Sequence, residues 1–76
     1  MGRVSSDESL RRTFGKRLRA ARKRRQLTQQ QLADRAHVTL SYVFRLEKGE
    51  RNPTLLIVHD LAGALRVRVR DLTDPS

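Results

Sequence analysis

The chain has 76 residues, with 17 lysines and arginines against 8 acidic residues, a formal net charge of +9 and a sequence pI near 11.6. This length supports one domain with a modest core, the absence of cysteine excludes a disulfide framework or a thiolate metal site, and no apolar run approaches the ~20 residues of a membrane span. The basic excess sets up a field that attracts polyanions, whether nucleic acid or an anionic membrane surface.

In chain order, residues 1–9 read as a flexible tail. The stretch "MGRVSSDESL" lacks the apolar segment of a secretory signal, so a soluble cytoplasmic protein is expected. Ser5 and Glu8 have the spacing of a capping box, which predicts a helix start near Ser6. Leu10, Phe14, Leu18 and Ala21 then recur as one apolar stripe. Arg11, Arg12, Lys16, Arg19 and Lys23 fall mostly off it and form a basic face, serving either solubility or phosphate contact. From Leu10 to Arg25 there is no acidic residue at all.

Thr28 with Gln31 is a second capping box and starts a helix at Gln29, with Leu32, Ala33 and Ala36 as its buried face. His37 and Val38 break that pattern, and Thr39 can cap the next helix. That helix buries Val43 and Leu46 and stops at Gly49, a residue suited to a left-handed C-terminus. "ERNP" reads as a loop ended by Pro53. Thr54 caps a fourth helix with the stripe Leu55, Val58, Leu61, Ala62 and Leu65. "RVRVRDL" alternates like a strand, but a lone edge strand would have no partner, so a short fifth helix is predicted around Val69–Thr73. The expected fold is all-α: a compact five-helix domain over 10–73, followed by a tail at 74–76. Helices shorter than roughly 12–15 residues are marginal in water. The two short ones within 28–49 must therefore hold each other, which is the helix-turn-helix arrangement, with its second helix presented outward to a DNA major groove.

These residues carry a likeness. In its order and spacing, "LTQQQLADRAHVTLSYVFRLEKGERNP" resembles the lambda-repressor-like helix-turn-helix family, also called the XRE family, over about Phe14 to Leu72. The resemblance implies a regulator that binds double-stranded DNA. It further implies that Thr39, Leu40, Ser41, Phe44 and Arg45 form the base-reading face of a recognition helix at 39–48. Gln29 matches a position that touches phosphate at a helix N-terminus, where unpaired amides and the dipole favour an anion. Arg51 and Asn52 match backbone-contacting positions, and Tyr42 and Lys48 are assigned with them. Arg22 and Glu47 match a partly buried ion pair that ties the first helix to the third. Three departures stand out. His37 and Arg66 replace common glycines, Leu40 and Phe44 are apolar where polar base readers are common, and Leu56 and Ile57 replace charged residues. Leu40 and Phe44 either pack inward or touch thymine methyl groups. Arg45 either donates to guanine O6 and N7 or grips phosphate.

One recognition helix covers few base pairs, so a homodimer on a palindromic operator is expected, with half-sites ~34 Å apart. Leu56, Val67, Val69 and Leu72, together with Ile57, are the apolar residues left to form its interface while also sealing the base of the core. An enzyme is not expected. His37 and His59 are the only histidines and lack ligand spacing, while Gly15, Gly49 and Gly63 are scattered rather than gathered in a phosphate loop. No cofactor, metal or small-molecule ligand is implied. The rival readings are an antitoxin that also binds its operator, a restriction–modification controller protein, and a basic amphipathic first helix lying on anionic lipid.

Overall fold

The computed structural model describes residues 3–74, with side chains described from Asp7 onward. Among these residues there are α1 (Arg3–Arg24), α2 (Gln29–Ala36), α3 (Leu40–Glu47), α4 (Leu55–Leu65) and α5 (Val69–Thr73), and no strand. α1 begins earlier than the expected start near Ser6, so residues 3–9 are helical rather than a tail, while the Ser5 side chain lies outside what the structure describes. No proline or glycine interrupts the chain from Arg3 to Phe14, and the Glu8–Arg12 pair, at 3.9 Å, spans one turn in the favourable i, i+4 direction.

The next three helices each start at a threonine. Gln31 N–H donates to Thr28 Oγ1 at 3.0 Å while Thr28 N–H donates to Gln31 Oε1 at 2.8 Å, a reciprocal capping box. Tyr42 N–H donates to Thr39 Oγ1 and Ile57 N–H to Thr54 Oγ1, capping α3 and α4. Gln26, His37, Gly49 and Arg66 adopt left-handed backbone, with φ of 57°, 60°, 77° and 58°. His37 and Arg66 thus keep the turn geometry that glycine usually supplies. At the second of these turns Arg25 helps. Its Nε donates to the Leu65 carbonyl at 2.7 Å and its Nη2 to the Arg66 carbonyl at 3.1 Å, satisfying acceptors that the end of α4 leaves open.

The core is one cluster in which Leu18, Leu32, Val43, Leu46, Leu61, Leu65 and Leu72 are fully buried. α1 packs on α3 and α5, while α2 packs on α3 and α4. Three apolar assignments need correction. Leu10 and Leu55 are exposed, to 52% and 79%: Leu55 is the first residue of α4, and Leu10, two turns into α1, borders an open groove beside Asn52 and Pro53. Leu72 is completely buried and belongs to the core, not to an interface, since α5 turns it inward between α1 and α4. Ile57, Val67 and Val69 are half-buried against the same core, which leaves Leu56 with Leu55 as the exposed apolar pair. The alternating "RVRVRDL" folds as a helix because Val67 N–H closes the α4 turn on the Ala62 carbonyl and Asp71 Oδ2 accepts from Arg68 N–H at 2.9 Å. No helix among the described residues is long and apolar enough to cross a membrane.

Candidate nucleic-acid interface

α3 is gripped from behind. Val43 and Leu46 anchor its inner face in the core. At its last turn Glu47 Oε2 accepts from Arg22 Nε at 2.6 Å and Oε1 from Arg22 Nη2 at 3.0 Å, a two-pronged pair whose side chains are 4% and 10% exposed. Arg22 Nη1 also donates to the Leu27 carbonyl at 2.8 Å, and Gln29 Nε2 donates to Glu47 Oε1 at 3.1 Å. Burying two charges is costly unless their remaining hydrogen-bonding groups are satisfied. Here they are: among the described residues no buried side-chain nitrogen or oxygen lacks a partner. The cluster therefore joins the end of α1, the start of α2 and the end of α3 at one point. Gly15 makes the approach possible, since a Cβ there would stand 2.5 Å from the Leu46 carbonyl oxygen and 2.8 Å from that of Glu47.

The outer face of α3 is open. Leu40 is 42% and Phe44 48% exposed, so neither packs inward, and Ser41 and Arg45 are exposed beside them. Thr39 is exposed as well, with its hydroxyl oxygen used as the α3 cap. Tyr42 is half-buried against the core. Lys48 Nζ lies 5.2 Å from the centre of the Phe44 ring, within cation–π reach. Glu50 stands 3.8 Å from Arg45 Nη1 and 3.6 Å from Lys48 Nζ, with its N–H held by the Arg45 carbonyl. Arg51 and Asn52 follow, both exposed, and Asn52 borders a shallow groove lined also by Leu10, Phe14 and Pro53. Gln29 Nε2 also donates to Glu47, and the Gln29 backbone N–H at the start of α2 stands where an anion could be met.

Sequence reasoning overlooked Gly15, Arg25 and Glu50. A glycine inside an otherwise helical apolar pattern usually has a packing reason, so Gly15 carried a usable signal. The other two act through backbone carbonyls and side chains that only the folded turns bring near. His59 and Asp60 are exposed neighbours 3.9 Å apart, and among the described residues no cluster of three potential metal ligands forms.

Two short capped helices joined at a left-handed turn, the second bolted inward and bare outward, form the arrangement that presents a helix to a DNA groove. Residues 18–72 match the helix-turn-helix family. The chain belongs to that family. Its helix-turn-helix is of the XRE, lambda-repressor-like type that the sequence resembles. The immunity repressor protein of Bacillus phage phi105 is 44% identical over 57 residues, which make up 75% of this chain but only 40% of that protein. An HTH-type transcriptional regulator of Methanothermobacter thermautotrophicus is 41% identical over 56 residues, 72% of this chain and 81% of the other. Among solved structures, the restriction-modification controller protein C.AhdI from Aeromonas hydrophila aligns with a TM-score of 0.80 and 39% identity, over 82% of this chain and 94% of that one.

Proposed function

We propose that this helix-turn-helix protein is a cytoplasmic transcriptional regulator that binds double-stranded DNA as a homodimer, with residues 39–48 in the major groove of each half of a palindromic operator. One observation carries the reading. Everything that fixes α3 lies on its inner side, while Leu40, Ser41, Phe44 and Arg45 stand exposed together on the other. In this reading Thr39, Ser41 and Arg45 supply polar base contacts, and Leu40 and Phe44 meet thymine methyl groups. Tyr42, Lys48, Arg51, Asn52 and the Gln29 amide hold phosphates, which position the helix without reading sequence. Leu55 and Leu56, with the exposed edges of Val67 and Val69, supply the dimer contact along α4. The match to C.AhdI, which takes in 94% of that chain, favours a restriction–modification controller over an antitoxin as the circuit. A methylase or endonuclease gene beside this one would support that choice; a toxin gene would reverse it.

The test separates two arginines, using an operator selected from a random duplex pool. Arg45→Ala is expected to lower preference for the operator over random duplex, by about 1–3 kcal/mol if the guanidinium reads guanine, while most non-specific binding survives. Arg51→Ala is expected to weaken both alike and to reduce the slope of log K against log salt by roughly one unit. If Arg45→Ala leaves the operator-to-random ratio unchanged, base reading by Arg45 is wrong.

A further inference from the structure

α1 carries more positive charge than its packing uses. Arg22 is consumed by Glu47, and Arg25, in the turn just after α1, by the end of α4. Of its other cations, Arg12, Lys16, Arg19 and Lys23 stand at spacings of four, three and four, and these spacings bring all four onto one row of the helix surface. At 100° per residue that row faces away from the stripe of Phe14, Leu18 and Ala21, and all four residues are exposed. Arg12 has an exposed contact with Glu8 at 3.9 Å; Lys16, Arg19 and Lys23 have no ion-pair partner among the described residues. The row is ~17 Å long, about the axial span of five phosphates on one DNA strand.

Its placement is set by two glycines. Gly15 holds α1 against the last carbonyls of α3, and a Cβ on Gly49 would lie 2.9 Å from Arg12 Cγ and 3.1 Å from its Cα. Gly49 directly follows the C-cap of α3 and is flanked within two residues by Lys48 and Arg51. The row therefore begins against the turn that carries those cations and runs along α1 toward the α1–α2 turn and the α2 N-terminus. We propose that this outer face of α1 is a second, sequence-independent phosphate-binding surface, gripping the backbone of the same duplex beside the recognition helix. The proposal rests on the reading that the helix-turn-helix binds duplex DNA. Phosphate contacts of this kind release counterions, so they would add affinity and salt dependence but no discrimination between sequences.

The three lysines, Lys16, Lys23 and Lys48, make the test direct. Amine labelling of the full chain, with and without a long random-sequence duplex, is expected to show all three protected by DNA. In parallel, the variant Lys16→Gln/Arg19→Gln/Lys23→Gln is expected to reduce the slope of log K against log salt by about 2–3 units. A control of equal net charge, Arg66→Gln/Arg68→Gln/Arg70→Gln, is expected to change that slope little. Protection of Lys48 alone, or equal losses of slope in the two variants, would overturn the second surface while leaving helix-turn-helix binding intact. Protection of no lysine would overturn both readings. Sedimentation of complexes holding two duplexes would show that the row takes a separate DNA, and that too overturns the proposal.

Discussion

Gly15 and Gly63 lie in long helices of the same protein and predict opposite outcomes for one substitution. At Gly15 a methyl group would collide with two backbone carbonyls of α3, and neither can swing aside as a side chain would. Gly15→Ala should therefore destabilise the domain by about 1–3 kcal/mol through overpacking, read as a lower urea midpoint. At Gly63 a Cβ meets nothing within 4 Å. Gly63→Ala should stabilise by about 0.8–1 kcal/mol through helix propensity alone. That corresponds to a rise in Tm of roughly 4–8 °C for a domain of this size. Equal midpoints for the two variants would contradict this division. The Glu47 carboxylate is a third decisive residue. Glu47→Ala leaves Arg22 charged and buried without its partner and is expected to cost about 3–5 kcal/mol, a large share of what so small a domain has in reserve. A circular dichroism melt that matches the unchanged protein would show the pair to be dispensable.

At the scale of elements, the joints between helices carry the strain. Three of them place a non-glycine residue in left-handed backbone: Gln26, His37 and Arg66. Such backbone costs an L-residue ~1–2 kcal/mol, partly offset because glycine loses more freedom on folding. Arg66→Gly should therefore raise stability by a net ~0.5 kcal/mol, and Arg25 can go on donating to the same carbonyls. A lowered Tm would show that the Arg66 side chain does more than tolerate the turn. The three threonine-capped helices and the short α5 were legible in the sequence, because capping residues and apolar spacing are local signals. The start of α1 was less so: Ser5 and Glu8 have capping-box spacing, but an uninterrupted helix simply runs through them. Leu10 and Leu55 were misplaced, and Leu72 was given an interface role beside its core one, for a different reason. Periodicity gives the face on which a residue lies, but whether another element covers that face is decided by tertiary packing. That Thr39, Leu40, Ser41, Phe44 and Arg45 share the exposed face of α3 was readable from the motif. That Gln29 would be spent on Glu47, and that Glu50 would stand beside two cations of α3, depends on distances no spacing reveals.

For the whole molecule, the exposed leucine pair at the start of α4 makes association a measurable property. Leu55 and Leu56 are 79% and 69% exposed. Sedimentation across a concentration series should give a monomer–dimer equilibrium of modest affinity, displaced toward dimer by palindromic DNA, and Leu56→Glu should shift it to monomer without changing the helical content. Monomer alone at high micromolar protein, with and without DNA, would remove the two-fold arrangement. The buried joint at Glu47 has a consequence for how such a protein can change. Because Arg22, Gln29, Val43, Leu46 and Gly15 fix α3 from within, the buried contacts that hold it do not involve Leu40, Ser41, Phe44 or Arg45. A library randomised at those four positions should yield mostly folded proteins that differ in the DNA they prefer. New specificities would then be reachable one substitution at a time, with few intermediates lost to misfolding.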